Sequence, residues 1–564
     1  LLAGPVTANA GSSSAAAAKG ADKTYLVLAE QGSTQADTVQ AIKAAGGSVV
    51  SVNKAIGLYE VRSDVVAFGQ NVRATKAVKA AAQDRVIGRL PGVKKSAVVE
   101  REQATTSARG TATALPNPGP TEGMDPLDSK LWGLRMVRSD LARAVNAGDR
   151  RVRVGILDSG IDFRNPDLAG QVDRGLSRNF VRDIPEIDGP CEFAGCVDPV
   201  GWDDSGHGTH VAGTVGAAAN GFGISGVAPD VTLVEIRGGQ DSGFLFLKPV
   251  ADALTYAGDA GLDVVNMSFY VDPWLYNCTN GAPEDSDEEV ASQQLVIGTM
   301  NAAMDYAHRK GASLVGSLGN NHEDLSNLRV DESSPDYPLG TEHSRTVTDA
   351  DCVDLPVEGQ HVIGVSALGP SEKKSDYSNY SSGGAAKAEI EVSAPGGWFR
   401  DYFGTANFRT NENEILSSYP INALQAEGSV DKNGRVTKAG DALGVIKECP
   451  SKNTPYTECG YYTYLQGTSM ASPHVTGVAA LAVSAWGAGR TANNYGLAPD
   501  TVRSIVLNSA REHECPNPPL QTYTSEGRSV EFNATCTGTL EFNAFYGYGI
   551  VDAYAAVTTG AATP

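Results

Sequence analysis

The sequence predicts an α/β protein in which a mainly parallel sheet is wrapped by helices and preceded by a small α+β unit. Three observations lead there. From about residue 125 to 555, short Val/Ile-bearing apolar runs alternate with helical stretches, the pattern of successive βα units. Residues 23–102 instead read β-α-β-β-α-β, the order of a small antiparallel sheet covered by two helices. Between the two, residues 103–124 (QATTSARGTATALPNPGPTEGM) are polar and lack an apolar period, which marks a linker and a natural cleavage zone.

In chain order, Leu1-Leu2-Ala3 followed by Ala8-Asn9-Ala10 reads as the tail of a secretory signal with a small-x-small cleavage site. Residues 11–22, rich in Ser, Ala and Gly, read as a flexible lead-in, so 1–22 is set apart. In the small unit the expected elements are a strand at Tyr25–Ala29, a helix at Ala36–Ala45 and one or two strands in Ser48–Arg62 around Gly57. A second helix is expected from Val65 to about Ala82, and a closing strand at Lys95–Glu100. In the larger unit, 125–564, strands are expected at Val152–Leu157, Val231–Ile236, Val264–Met267, Ser313–Ser317, His361–Ser366 and Ile390–Ser393. Helices are expected at Leu247–Ala260 and Ala291–Lys310. Three polar, turn-rich stretches, 171–203, 321–357 and 397–462, interrupt this rhythm and read as surface insertions.

Composition narrows the function classes. A net charge of −21 over 564 residues argues against a nucleic-acid binder, which needs a basic face. No apolar run approaches the ~18 residues of a membrane-spanning helix, so no membrane partner is expected. The charge is uneven: residues 1–110 carry 14 Lys/Arg against 8 Asp/Glu, and the remainder carries 31 against 58. A basic N-terminal unit that docks on an acidic body fits this split. The eight cysteines fall into near-neighbour couples, Cys191 with Cys196, Cys278 with Cys352, Cys449 with Cys459 and Cys515 with Cys536. This is the simplest of many connectivities. None lies in a CxxC pattern, so an exported, disulfide-bearing protein is expected.

The chemistry sits in four short stretches. Val154-Gly-Ile-Leu-Asp158-Ser-Gly160 is an apolar strand ending in a carboxylate, at the edge where parallel sheets place active sites. In Gly206-His207-Gly208-Thr-His210 the flanking glycines are expected to leave room at the imidazole, and the small residues that follow suit a helix packed closely on a sheet. In Gly467-Thr468-Ser469-Met470-Ala-Ser-Pro473 a serine opens a helix, where the dipole and free N–H groups favour an anion. Leu318-Gly319-Asn320 puts an amide at another strand end, able to join the Ser469 N–H around an oxyanion. Loss of one such donor costs about 2.7–4 kcal/mol of transition-state stabilisation. A serine is a poor nucleophile unless a base takes its proton, and that base must be oriented by a third group. His210, His308, His322, His343, His361 and His513 read as structural.

With the order Asp…His…Ser, the motifs GILDSGID, GHGTHVAGT and GTSMASPHV resemble those of the subtilisin-like (subtilase) serine peptidases over about 125–555. The resemblance implies a doubly wound, mainly parallel sheet, with Asp158 orienting His207, His207 as general base and then acid, Ser469 as nucleophile and Asn320 stabilising the oxyanion. It also implies that Val264–Ser268 leads into a strand edge against which a peptide substrate pairs. Ser268, Phe269, Tyr270 and Gly319 are then substrate-binding; Phe269-Tyr270 replaces the family's usual Leu-Gly there. Asp167 in NPDL and Asn220 in AAANGFGISGVAP resemble a family calcium site, whose Ca²⁺ the carbonyls of Ala218, Phe222 and Ile224 would complete. Asp125 or Asp128 would add a carboxylate after maturation.

Residues 23–102, including the ending Val98-Val-Glu-Arg-Glu102, resemble the ferredoxin-like inhibitor propeptide found before many subtilases. Such a unit chaperones folding and lays its tail through the cleft until it is cut off, here within 103–124. The spans Asp158–His207 and Asn320–Ser469 are longer than in the smallest subtilases, and the added loops are expected to narrow access. Met470, beside the nucleophile, is an oxidation liability. The expected protein is therefore a secreted, monomeric, calcium-stabilised endopeptidase made as a zymogen. Its partners are protein or peptide substrates and its own propeptide. An esterase would instead carry GxSxG in the order Ser…Asp…His; a catalytically silent binding protein would have lost one of the four residues.

Overall fold

The computed structural model describes residues 19–84, 99–102, 125–334, 344–387, 389–450, 457–489 and 494–560. The chain forms two compact units, Leu1–Val86 and Ile87–Pro564.

In the first unit, strand β1 (Lys19–Ala29) leads to helix α1 (Gln35–Ala44), strands β2 (Ser48–Asn53) and β3 (Leu58–Val65), helix α2 (Phe68–Arg73) and strand β4 (Val78–Gln83). Thr34 starts α1 with a reciprocal capping box to Asp37. The four strands run antiparallel in the order β2-β3-β1-β4, and Tyr25, Val27, Ile42, Val61, Phe68 and Val72 close a small core. The β-α-β-β-α-β order holds, but the long helix expected from Val65 to Ala82 does not form. Its first part is the short α2, and its Ala-rich second part is β4, which pairs with β1 from Tyr25↔Gln83 to Ala29↔Val78. The small side chains of Ala80, Ala81 and Ala82 are buried there. Burial in a sheet outweighs the helix preference of alanine. Of the strand expected at Lys95–Glu100, residues 95–98 lie outside the described residues, and Val99 and Glu100 are not in a strand.

The second unit is built on β5 (Arg153–Leu157), β6 (Arg178–Asn179), α3 (His207–Gly216), β7 (Thr232–Arg237), α4 (Leu247–Ala260), β8 (Val264–Met267), α5 (Asp287–Arg309), β9 (Ser313–Ser317), β10 (Val362–Leu368) and β11 (Val392–Pro395). These strands form a seven-stranded sheet in the order β11-β10-β9-β8-β5-β7-β6. Every pairing in it is parallel. Strands β8, β9 and β10 are buried at every position, as strands covered on both faces must be. The chain steps outward from β5 to one side through β7 and to the other through β8. The carboxyl ends of β5 and β8 therefore flank a switch point, the place where such sheets open a binding crevice. Helix α6 (Thr468–Trp486) is buried along nearly its whole length and packs with α3, while α4 packs with α5.

The stretch 397–462, expected as a surface insertion, contributes to the core instead. Strands β12 (Ile415–Ser418), β13 (Ile446–Glu448) and β14 (Gly460–Leu465) make a separate antiparallel sheet in the order β12-β14-β13. Ile415, Leu416, Tyr419, Leu424, Tyr461 and Tyr462 join the main core. The polar turns between these strands mask short buried segments that are too far apart to show an apolar period. The four cysteine couples read from the sequence are all bonded. Among the described residues, no helix is long and apolar enough to cross a membrane.

Ile363 on β10 is 1% exposed within the main core. Ile363→Ala is expected to cost about 2–5 kcal/mol, read as a lower thermal midpoint of the full chain.

Candidate active site

Asp158 is the first residue after β5, His207 opens α3, Ser469 is the second residue of α6, and Ser268 and Asn320 follow β8 and β9. All five therefore gather at the carboxyl edge of the sheet. His207 Nδ1 lies 2.8 Å and 3.0 Å from the two carboxylate oxygens of Asp158. This fixes the proton on Nδ1 and leaves Nε2 as the face that can act on another group. Partial burial opposes charge on His207, but the carboxylates of Asp158 and Glu100 outweigh it and hold the imidazole well above its ordinary range. His210 behaves oppositely: burial and the neighbouring His207 push it down to about 3, and its Nε2 lies 3.0 Å from the Ile415 carbonyl. It is a neutral packing residue.

The glycines around His207 make room for other segments of the chain, the Gly160 backbone and the Tyr419 ring. A Cβ on Gly208 would stand 2.2 Å from the Gly160 carbonyl, and one on Gly206 (φ 85°) would stand 2.2 Å from the Tyr419 ring. Buried Asp203 then locks the two motifs together. Its Oδ1 accepts from Ser159 Oγ (2.9 Å) and Gly206 N (2.8 Å), and its Oδ2 accepts from Thr209 N (3.0 Å) and the Thr209 hydroxyl (2.6 Å). Sequence reasoning passed over Asp203. Its position just ahead of the histidine motif, where a carboxylate can satisfy the first N–H groups of α3, was the available signal.

Pro473 lies inside α6 and has no N–H to give the carbonyl four residues back, which is that of Ser469. Ser268 Oγ donates to that carbonyl instead, at 3.0 Å, and also meets Ser472 Oγ at 2.7 Å. Ser268 thus borders the cleft and also sets the backbone of the nucleophile candidate. Asn320 is oriented from Thr468, whose backbone N and Oγ1 both donate to Asn320 Oδ1 at 2.9 Å. Its NH₂ is turned the other way. The N–H of Ser469 belongs to the first turn of α6, whose donors have no intrahelical acceptor. Asn379 supports this loop by donating to Leu318 O and accepting from the N–H groups of Asn321 and Glu323.

Asp158, His207, Ser469, Asn320, Ser268, Phe269, Tyr270 and Gly319 all border one cleft, together with Ser242, Gly243, Leu245 and Asp354. Glu100 reaches into it. The Ser469 hydroxyl donates to Glu100 Oε1 at 2.9 Å, and the same oxygen lies 3.6 Å from His207 Nε2. Around it, Gln466 N and Nε2 donate to the carbonyls of Glu100 (3.2 Å) and Val99 (2.9 Å). Arg101 pairs with Glu427 and stacks on Tyr419, while Glu102 pairs with Arg400 and Arg528. The sequence pointed to a tail in this cleft, but not to a carboxylate placed between the hydroxyl and the imidazole.

Asp167 is fully buried and Asp125 nearly so. Burial pushes both carboxyls up, Asp125 to about 6, and each raises the other or is raised by a neighbouring acid. The loop 218–224 wraps Asp167: Ile224 N donates to its Oδ2 at 3.0 Å, and Ala218 N to its backbone carbonyl at 2.9 Å. Asn220 Oδ1 accepts from Phe222 N at 2.9 Å, and its NH₂ faces Asp167. Two buried carboxylates that raise each other's cost of ionisation, Asp125 and Asp167, offer the oxygen donors that a hard cation prefers.

Comparisons with known proteins identify the family and the fold. The model of the subtilase family, Peptidase S8, matches residues 149–549. Fervidolysin of Fervidobacterium pennivorans is 29% identical over 63% of this chain, and the match spans 38% of that protein. Subtilisin DY of Bacillus licheniformis is 26% identical over 63% of this chain and 84% of its own length. Among solved structures, the epidermin leader peptide processing serine protease of Staphylococcus aureus has a similar fold, with a TM-score of 0.60 at 18% identity over 95% of this chain and 98% of that one.

Ser268→Ala strands the Ser469 carbonyl left open by Pro473. It is expected to cost about 1–3 kcal/mol of stability and to slow labelling of Ser469 by a serine-directed phosphonylating probe by about tenfold or more. Unchanged labelling would leave Ser268 without a positioning role.

Proposed function

This chain belongs to the subtilase family, a family of serine peptidases, and from that premise we propose that it is a secreted endopeptidase, made as a self-processing zymogen, that cuts peptide bonds with Ser469, His207 and Asp158. The observation that carries the reading is the meeting of these three side chains and Asn320 at one cleft, with the His207–Asp158 bond already formed. Ser469 Oγ attacks the scissile carbonyl while His207 Nε2 takes its proton. Asp158 stabilises the imidazolium, and the Asn320 NH₂ and Ser469 N–H receive the oxyanion. His207 then protonates the leaving amine, and water, deprotonated by the same nitrogen, hydrolyses the acyl-enzyme. The substrate is a polypeptide lying beside the Ser268–Tyr270 edge as an added strand. The enzyme acts as a monomer.

Residues 23–102 act as propeptide, with the cut falling in 103–124, outside the described residues. Glu100 supports an inhibited state. While it is docked, the Ser469 proton is directed to a carboxylate, and His207, charged between Asp158 and Glu100, cannot serve as a base. Asp125, Asp167, Asn220 and the carbonyls of the 218–224 loop would hold a Ca²⁺ ion. When bound it neutralises the buried carboxylates and stiffens the loop that follows α3.

Ser469→Ala and His207→Ala full-length chains, purified free of other proteases, are expected to stay unprocessed and to lose peptidase activity. Normal maturation of either would sink the self-processing reading.

The Glu100 contact carries its own pH dependence. A histidine raised by its partners contributes docking free energy that is fully present below its ordinary range and is lost as pH rises through the raised value. Activation of the full-length chain should therefore quicken with rising pH. In Glu100→Gln, with one carboxylate fewer at His207, the rise should move to lower pH. The test is the rate at which mature enzyme appears across pH for both chains; superimposable profiles would refute the contact.

A further inference from the structure

Among the described residues, three carboxylates border the cleft: Asp158, Glu100 and Asp354. Asp158 is bound to His207 and Glu100 belongs to the tail, whereas Asp354 has no place in the triad or in the oxyanion contacts. It is 2% exposed, although it lies in the polar stretch 321–357 that reads as a surface insertion. It ends the short strand Cys352–Asp354, which pairs antiparallel with Tyr276–Cys278 and is bonded to it by the Cys278–Cys352 disulfide. Just beyond, the Leu355 carbonyl accepts from Val271 N at 2.9 Å, which seats the segment beside the Ser268–Tyr270 edge. Asp354 N donates to Glu358 Oε2 at 2.6 Å. On the other side, a Cβ on Gly319, the residue before Asn320, would stand 3.4 Å from Asp354 Oδ2. The Asp354 carboxylate therefore sits between the substrate edge and the oxyanion loop. The wall behind it is acidic: after burial, it is Asp354, Glu323, Asp331 and Glu358 that hold the Tyr276 phenol well above its ordinary range. The nearby cation Arg345, which donates to the Tyr276 carbonyl, is paired with Asp285 and Asp331. Among the described residues, no lysine or arginine borders the cleft.

We propose that Asp354 restricts cutting to bonds that follow a lysine or arginine, whose charged end pairs with its carboxylate. The inference rests on the peptidase reading above and gives it a substrate class. A polypeptide whose scissile carbonyl lies at Ser469, with its oxygen toward Asn320 and its backbone beside Ser268–Tyr270, sends the side chain before the cut between those two segments. That is where Asp354 sits. An apolar side chain placed there would bury the carboxylate further and give it no counter-charge, which is costly. A basic one supplies the charge and the N–H donors together, in a cleft bordered by no competing cation. Sites that hold a charged or hydrogen-bonding group against a buried partner discriminate far more sharply than apolar pockets do. The disulfide and the Leu355–Val271 contact keep the acid in place, so little ordering is left to be done when substrate binds.

The test uses full-length chain that has been allowed to process itself, with internally quenched peptides identical except for Arg, Lys, Leu or Glu just before the cut. Expected is a kcat/KM for Arg or Lys about a hundredfold or more above that for Leu, with Glu the poorest. In Asp354→Asn the ratio of Arg to Leu should fall toward one. A side chain that only supports the fold would lower all four rates together and leave the ratio standing. The chain also carries a substrate of its own: residues 103–124 contain one basic residue, Arg109, followed by Gly110. The mature N-terminus is therefore expected at Gly110, and Arg109→Gln should slow maturation about tenfold or more while Arg109→Lys preserves it. Should Asp354→Asn fail to fold or mature, the profile of the parent enzyme still decides. Cutting without preference for Arg or Lys, an unchanged ratio in Asp354→Asn, or a mature N-terminus that follows a neutral residue overturns the inference and leaves the peptidase reading intact. No hydrolysis of any peptide overturns both.

Discussion

The bond between His207 Nδ1 and Asp158 can form only if the end of β5 and the start of α3 approach with nothing between them. Gly160 and Gly208 make that approach possible by presenting backbone to backbone. Asp203 then holds it by binding Ser159 on one side and the first turn of α3 on the other. The nucleophile side obeys a parallel constraint. α6 is wholly buried against the sheet at its start, so its first turn cannot shift without disturbing the core, and Pro473 opens one carbonyl that Ser268 closes. Each reactive group is thus fixed by a polar contact from a different strand end. The sheet's parallel order brings those ends to one edge.

That order was largely legible in the sequence because its strands are short, β-branched and buried on both faces. Val264–Met267 and Ser313–Ser317 are four and five residues long, each contains valine, and every position in them is buried. Leu247–Ala260 was equally plain, with an apolar period that suits one buried face. The failure at Val65–Ala82 has a definite cause. Alanine carries the highest helix preference but also fits a crowded sheet, and only pairing with β1, distant in sequence, settles the competition. The 397–462 stretch misled for the opposite reason. Its polar turns dominate the composition, while the strands that reach the core are three to six residues long.

At the site, residues inside contiguous motifs were readable and their supports were not. Asp158, His207 and Ser469 each sit in a glycine-rich stretch whose spacing constrains the backbone. Asp203, Tyr419, Asn379 and Gln466 act through contacts made after folding, and for Asp203 the one local signal is its place just ahead of the histidine motif. Asp354 belongs to the same class. In sequence, Asp354 is one acid among many in a polar stretch, and only its burial at the cleft beside Gly319 sets it apart.

The longer loops bear on the tail as well as on the cleft wall. Arg400, Tyr419 and Glu427 come from the 397–462 stretch, Arg528 from the segment closed by Cys515–Cys536, and all four touch Arg101 or Glu102. Glu100 by itself would be a weak plug, since a single carboxylate facing an imidazole loses its hold once the ring is neutral. The flanking ion pairs do not depend on His207, and they are shielded enough to escape most screening by salt. Neutralising His207 therefore removes the contact at the reactive atoms first and leaves the flanks in place. On the proposed self-processing reading, the carboxylate leaves the reactive atoms before the chain leaves the groove, which frees the catalytic groups while a segment of the same polypeptide still lies beside them, as intramolecular cutting requires.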